Sequence, residues 1–191
     1  MRYCVLSIGA LFMLLGSCNG PEPRRPIQQK SGSFFKESIE RNKKLLEDEE
    51  EKIQEIIRRD SLKHYTHGQA GSWYHYLKIN DSSTYTPKTG DLVVMNYDVL
   101  TLDNDTVYSS DEIGTVSYSV DKQELFMGLR DAVKLLKEGE RATFLFPSSL
   151  AYGYHGDNDR IGTNVPLKST VTILKIEQQQ ENINENQNND K

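Results

Sequence analysis

The sequence predicts an α+β domain: an antiparallel sheet with one short helix against a face, preceded by a long charged helix. Three observations predict it. From Trp73 to Glu177 the chain breaks into short runs rich in Val, Tyr, Ile and Thr, bounded by Gly, Pro, Asn and Asp. That is the texture of strands and turns. Within this stretch only one segment, Gly128 to Lys137, carries apolar residues at helical spacing. Upstream, Ser33 to about Lys63 contains no Pro or Gly and is rich in Glu, Lys, Leu and Ile, as a helix requires.

In chain order, the first segment reads as an export signal. Arg2 supplies a positive charge, and Val5 to Leu15 is an apolar run too short to span a bilayer comfortably. Residues 1–17 are therefore expected to be removed. The run ends in Leu15-Gly16-Ser17-Cys18. Small residues just before a Cys resemble the lipobox of bacterial lipoproteins, which implies cleavage before Cys18 and acylation of its thiol. Cys4 falls within the signal, so Cys18 would be the only mature Cys and could form no internal disulfide. Acyl chains contribute about 0.8 kcal/mol per buried CH₂, enough for several of them to hold a protein firmly on a membrane. Asn19 is not the Asp that resembles an inner-membrane retention signal, so the expected location is the outer membrane, facing the periplasm.

Residues 18–32 include Gly20, Pro21, Pro23, Arg24, Arg25 and Pro26 and read as an extended tether. Residues 33–66 read as a charged helical stalk. Its apolar positions Phe35, Ile39, Leu46, Ile53 and Ile56 recur at three, four or seven residues, and Leu45 and Ile57 widen the stripe. Asn42 and Glu49 interrupt that seam, and the acidic run Glu47 to Glu51 sits mid-helix. Such a helix is either a solvated spacer or a short coiled coil joining two copies through residues 33–60.

Residues 67–177 form the folded domain. Trp73 to Ile79 is an aromatic strand, and Leu92 to Thr101 follows Gly90-Asp91. Asp103-Asn104-Asp105 is a hairpin turn, and Thr106 to Ser109 and Thr115 to Val120 alternate again. Asp121 and Glu124 could form a capping box, with Val120 stapled onto Leu125. Gly128 would cost such a helix about 1 kcal/mol, so the preferred helix runs from Gly128 to Lys137 and stops at Gly139. Leu129, Ala132, Val133 and Leu136 form its buried stripe. Arg141 to Phe146 is a strand stopped by Pro147, and Ser169 to Glu177 is the closing strand. Residues 178–191, mostly Gln, Asn, Glu and Asp, read as a disordered tail.

Composition narrows the function. Only 36% of the 191 residues are hydrophobic, too few to fill every segment with core. The net charge of −5 lacks the clustered cations that nucleic acid requires. There is no P-loop and no Gly-x-Ser-x-Gly, and acylation of Cys18 would leave no Cys nucleophile. His64, His67 and His75 have no accompanying fourth-ligand pattern, so neither metal nor other cofactor is expected.

One ordered set of motifs carries the functional reading. Leu150-Ala151-Tyr152-Gly153-Tyr154-His155-Gly156 is followed by Ile161-Gly162-Thr163-Asn164-Val165-Pro166-Leu167 and the strand Val171 to Ile176. Before these come Gly90 to Tyr97, then Val107-Tyr108-Ser109-Ser110, then Gln123 to Gly128. The series resembles the FKBP-type peptidyl-prolyl cis/trans isomerases over about residues 73–177. The signal and helical stalk are similar to the gliding-motility-associated lipoproteins of that family.

The resemblance implies an antiparallel sheet wrapped around one short helix, with an apolar hollow between them. It assigns catalytic roles to Tyr152, Tyr97 and Leu129. It places Tyr108, Ser109, Val116, Leu125, Phe126, Ile161 and Ser169 around the substrate. The expected partners are proline-containing client polypeptides and, through the lipid, a membrane. A proline ring would pack among Leu129, Phe126 and Tyr97 while the Tyr152 hydroxyl donates to a substrate carbonyl. Several positions depart from the family pattern. Leu129 stands for the usual Trp, Ser109 for an Asp, Val116 and Ser169 for aromatics, and Gly162-Thr163 for Pro-Pro. These imply a less aromatic hollow and low turnover. They leave open an alternative, a catalytically weak chaperone that holds clients.

Overall fold

The computed structural model describes residues 31–179. The signal, Cys18, most of the tether and nearly all of the polar tail lie outside these residues. The chain divides into two units, residues 1–38 and 39–191. Of the first, only the opening turns of helix α1 (Ser31–Arg59) are described, with Phe34 and Phe35 exposed.

The second unit has an eight-stranded sheet. Its strands are β1 (Thr66–His67), β2 (Trp73–Lys78), β3 (Leu92–Tyr97), β4 (Val99–Thr101), β5 (Thr106–Tyr108), β6 (Val116–Ser119), β7 (Arg141–Phe146) and β8 (Leu167–Glu177). The main order is β1-β2-β7-β8-β3-β6, with β4 pairing both β5 and β8. All pairings are antiparallel. A short helix α2 (Ser110–Ile113) precedes β6, and α3 (Met127–Leu135) precedes β7. This is the expected α+β architecture.

The expected strand from Leu92 to Thr101 is divided at Asp98. The Asp98 carboxylate accepts the Thr170 N–H at 2.6 Å, so a side chain replaces a ladder partner there. Burial pushes this carboxyl pKa up. The Asp103-Asn104-Asp105 turn joins β4 to β5, with Asn104 in the left-handed region at φ 74°. The two-residue β1 carries too little periodicity to be legible.

Helix α3 starts at Met127 with no side-chain cap, and the Asp121–Glu124 capping box does not form. Asp121 instead accepts from the Thr89 hydroxyl and the Lys134 ammonium. Leu129, Ala132 and Val133 of α3 are buried against the inner sheet face. On β7 that face presents Ala142, Phe144 and Phe146, and on β8 Leu167, Ser169, Val171 and Ile173, as a period of two requires.

Gly128 sets how closely α3 approaches. A Cβ there would lie 2.5 Å from the Phe146 ring and 3.0 Å from the Leu150 carbonyl oxygen. Gly128→Ala gains up to about 1 kcal/mol of helix propensity. The backbone carbonyl cannot yield, and overpacking costs about 1–3 kcal/mol. Net destabilisation is expected, and urea denaturation would read it as a lower midpoint.

The outer face of the sheet is also covered. Thr143 and Leu145 of β7, which alternate with its core residues, are 4% and 0% exposed. Leu145 pairs in register with Trp73, and Thr143 with His75, which is itself buried and packs against the Tyr65 ring at 4.6 Å. The cover is the second half of α1. The Trp73 indole donates to the Glu50 carboxylate at 2.9 Å, and Ile53, nearly one turn on, is fully buried. The helix is thus not wholly a solvated spacer, because from Glu49 onward it is a third layer of the domain. It ends at Arg59 rather than Lys63, and the Asp60 side chain closes the turn onto Lys63 and Tyr65.

Candidate active site

Five structural elements converge here, one of them β6, which brings Val116. Strand β3 brings Tyr97, β5 and its continuation bring Tyr108 and Ser109, the approach to α3 brings Leu125 and Phe126, and the loop after β7 brings Tyr152 and Ile161. These apolar side chains join one cluster. Tyr97, Tyr108, Val116, Leu125 and Tyr152 are half-buried and form a rim. Phe126 and Ile161 are 8% and 3% exposed and form the base. The Phe126 and Tyr152 rings lie 5.4 Å apart, and Phe126 meets Phe146 edge-on at the same distance.

Two expected site residues lie deeper. Leu129 and Ser169 have no exposed surface, so they underlie the site rather than face solvent. The Ser169 hydroxyl is buried without a hydrogen-bond partner among the described residues. With Leu129 covered, the exposed surface here belongs mainly to the half-buried tyrosines, with little from Phe126 and Ile161.

The tyrosine hydroxyls differ in what they bind. Neither the Tyr152 nor the Tyr97 hydroxyl bonds to another described residue, and both phenols are pushed up in pKa by burial. Tyr97 and Asp157 raise Tyr152 further. Both phenols stay protonated at neutral pH, and Tyr152 can donate outward. The Tyr108 hydroxyl is already engaged, donating to Asp157 at 2.5 Å. That bond raises its pKa to about 12.

Asp157 organises the loop. Its Oδ1 accepts the N–H groups of Asp159 and Ile161 at 2.9 and 2.8 Å. Burial alone would raise its pKa, but Tyr108 and these two N–H groups hold the carboxyl below its usual range. Arg160 lies 4.8 Å from the Tyr108 ring centre and pairs with Glu112 through both terminal nitrogens, at 2.6 and 3.0 Å. Gly156, at φ 69°, lets the loop fold back, since a Cβ there would lie 2.2 Å from the Ile161 carbonyl oxygen. Asp157, Arg160 and Glu112 were not singled out from the sequence. The Asp-x-Asp spacing signals a local turn, but nothing local reveals partners 49 residues away.

Ser109 has a structural task. Its Oγ caps α2 by accepting the Glu112 N–H at 3.2 Å. Among the described residues no three His, Cys, Asp or Glu side chains are grouped to hold a metal.

Residues 83–174 match the family model of the FKBP-type peptidyl-prolyl cis-trans isomerases. The domain is of the FKBP type. Over 90 residues the chain is 36% identical to the "Probable FKBP-type peptidyl-prolyl cis-trans isomerase FkpA" of Neisseria meningitidis serogroup B. The aligned stretch is 47% of this chain and 33% of that protein, so the chain spans about a third of the length of that curated relative. A crystal structure of a peptidyl-prolyl cis-trans isomerase from Pseudomonas syringae pv. tomato superposes with a TM-score of 0.58 at 18% identity. It covers 71% of this chain and 96% of that one, and the likeness is one of fold.

Within the FKBP-type domain, the carboxylate bonded to a rim tyrosine comes from the loop, at Asp157, and not from the position after Tyr108. Ser109 and Asp157 thus divide two tasks, capping α2 and holding the loop to the rim.

Proposed function

We propose that this chain is a peptidyl-prolyl cis/trans isomerase acting on X-Pro bonds of exported polypeptides. The observation that carries the reading is Tyr152, a protonated phenol with no hydrogen-bond partner among the described residues, tilted over the Phe126 ring beside Tyr97. The chemistry suits such a site because isomerisation needs no nucleophile. Its barrier of about 18–20 kcal/mol comes from amide resonance. Twisting the imide removes that resonance and leaves a less dipolar carbonyl, which an apolar surface favours over the planar ground state. A proline ring packs on Phe126 between Tyr97 and Tyr152, with Leu129 supporting the base from beneath. Tyr152 donates to a substrate carbonyl and fixes its orientation. An acceleration of about 10⁵ needs about 7 kcal/mol of preferential transition-state binding.

The protonation states predict the pH profile. Burial raises the Tyr97 and Tyr152 phenols, and hydrogen bonding holds Asp157 low. No rim group then changes charge between about pH 5 and about pH 9, given the ordinary ranges of these groups. A flat kcat/KM is expected across that window. Below it, protonated Asp157 loses its claim on the Tyr108 hydroxyl, and the rate should fall with the loop's attachment.

The reading extends to location. Val5 to Leu15 ahead of Cys18 supports export, lipid anchoring and a periplasm-facing tether, most consistent with the outer membrane. Clients are then newly exported chains whose X-Pro bonds otherwise isomerise in tens to hundreds of seconds. A narrower role in envelope or gliding machinery rests on the order of signal, lipidated Cys, helix and domain. Self-association through residues 33–60 would rest on the exposed Phe35, Ile39 and Leu46, since Ile53 of the same seam is already buried.

A client-holding chaperone of low turnover is the second reading, favoured by the buried Leu129 and by Ser109's use as a cap. A protease-coupled assay on a proline tetrapeptide separates them. Acceleration proportional to enzyme concentration supports the isomerase, and none at micromolar chain supports the chaperone. Mass spectrometry of the mature N-terminus tests acylation of Cys18.

A further inference from the structure

We infer that Glu49, on the helix that precedes the FKBP-type domain, is a positioning residue for Tyr152. This rests on the reading of Tyr152 as the substrate's hydrogen-bond donor. Glu49 interrupts the apolar seam of α1, yet it is 3% exposed. Its Oε2 accepts the Ser148 N–H at 2.8 Å, a bond that joins residues 99 positions apart. Its Oε1 is buried without a partner among the described residues.

Ser148 is a backbone hub. It opens the 3-10 turn Ser148–Leu150 that leads from β7 to Tyr152. Its carbonyl accepts the N–H of Ala151 at 3.0 Å and that of Gly153 at 2.9 Å, the residues on either side of Tyr152. The Gly153 carbonyl in turn accepts the Asn164 N–H at 2.8 Å. One residue therefore has its N–H held by Glu49 and its carbonyl, in the next peptide, holding both neighbours of the phenol. The buried acceptor fixes the position of Ser148, and through it both flanks of Tyr152. Glu50, the next residue, locks the same turn of α1 through the Trp73 indole.

The inference gives the acidic run a task that a spacer does not require. A seam residue of a coiled coil would be apolar, and a solvated carboxylate would be exposed. Glu49 is neither, and it lies on the side of α1 that also buries Ile53.

The test uses the full chain and three variants. Glu49→Ala removes the acceptor, Glu49→Leu removes it while keeping buried volume should the alanine fail to fold, and Glu49→Gln keeps an amide oxygen that can accept. Two readouts are taken. Amide hydrogen exchange at Ala151 and Gly153 reports the hub whether or not the protein is active, with Ile173 as a core reference. Values of kcat/KM are measured alone and combined with Tyr152→Phe.

Losing a buried acceptor is expected to speed exchange at Ala151 and Gly153 about tenfold in the leucine variant. Ile173 exchange and emission from Trp73, the chain's only tryptophan, should be unchanged. The glutamine variant should stay near wild type. The leucine change should lower kcat/KM about tenfold in the parent and have little effect once Tyr152 is Phe. Unchanged exchange at Ala151 and Gly153, or equal loosening at Ile173, overturns the inference. So does a glutamine variant that behaves like leucine, or an undiminished rate loss in the Tyr152→Phe background. A wild type without activity would refute the isomerase reading while exchange still decides the role of Glu49.

Discussion

Ile53→Ala is expected to destabilise the protein by about 3 kcal/mol, within the range for truncating a buried Leu or Ile side chain. Ile53 is fully buried, three residues beyond Glu50, which holds the Trp73 indole where Trp73 pairs with the fully buried Leu145. Removing three carbons leaves a cavity between helix and sheet that neither can readily fill. For a chain of this size the loss lowers Tm by about 6–12 °C. Ile39→Ala, on the same helix at a position 57% exposed, should change stability by no more than about 0.5 kcal/mol. Deleting residues 1–60 should cost more than the point change, because Trp73, His75, Thr143 and Leu145 would meet water together. If α1 were only a spacer, neither Ile53→Ala nor the deletion would move the domain's Tm. Thermal denaturation followed by Trp73 emission distinguishes these outcomes, and its red shift would report loss of the helix from the indole.

The second large effect is on turnover. Tyr152→Phe removes one hydroxyl from the rim and leaves the ring packed 5.4 Å from Phe126. Because no described residue bonds that hydroxyl, the folded state loses little, and Tm should be nearly unchanged. The bond to substrate is made in a partly dry site, where losing a partner costs about 1–3 kcal/mol. The expected result is a fall of about tenfold to a hundredfold in kcat/KM. Tyr108→Phe differs, because that hydroxyl belongs to Asp157. Its loss should loosen residues 157–161 first, and the rate should follow from the loop's displacement.

The sheet was legible because its strands obey local rules. Strand β8 alternates Leu167, Ser169, Val171 and Ile173 inward, and β7 stops at Pro147, where no ladder N–H is available. The break at Asp98 was not legible, since its cause is the Thr170 N–H, 72 residues on. That Tyr152, Tyr97 and Phe126 come together in one cluster was legible through the motif order. Depth was not, because pattern reports which residues converge but not which are covered, as with Leu129 and Ser169. The docking of α1 was visible only as a fault. Glu49 reads as an error in an apolar seam until the Ser148 N–H is known to meet it. Arg160 and Glu112 illustrate the same limit, since exposed charges in a loop and in the short helix α2 carry no sign of pairing in either segment alone.

The most direct measurement is two-dimensional exchange NMR on a short X-Pro peptide with catalytic amounts of the full chain. Exchange cross-peaks between cis and trans resonances should appear on the second timescale, weaken when Tyr152 is Phe, and stay constant from about pH 5 to about pH 9. Cis and trans signals that exchange no faster with wild-type chain than in buffer, while its thermal transition shows it folded, would contradict a catalytic role for the Tyr152–Phe126 site.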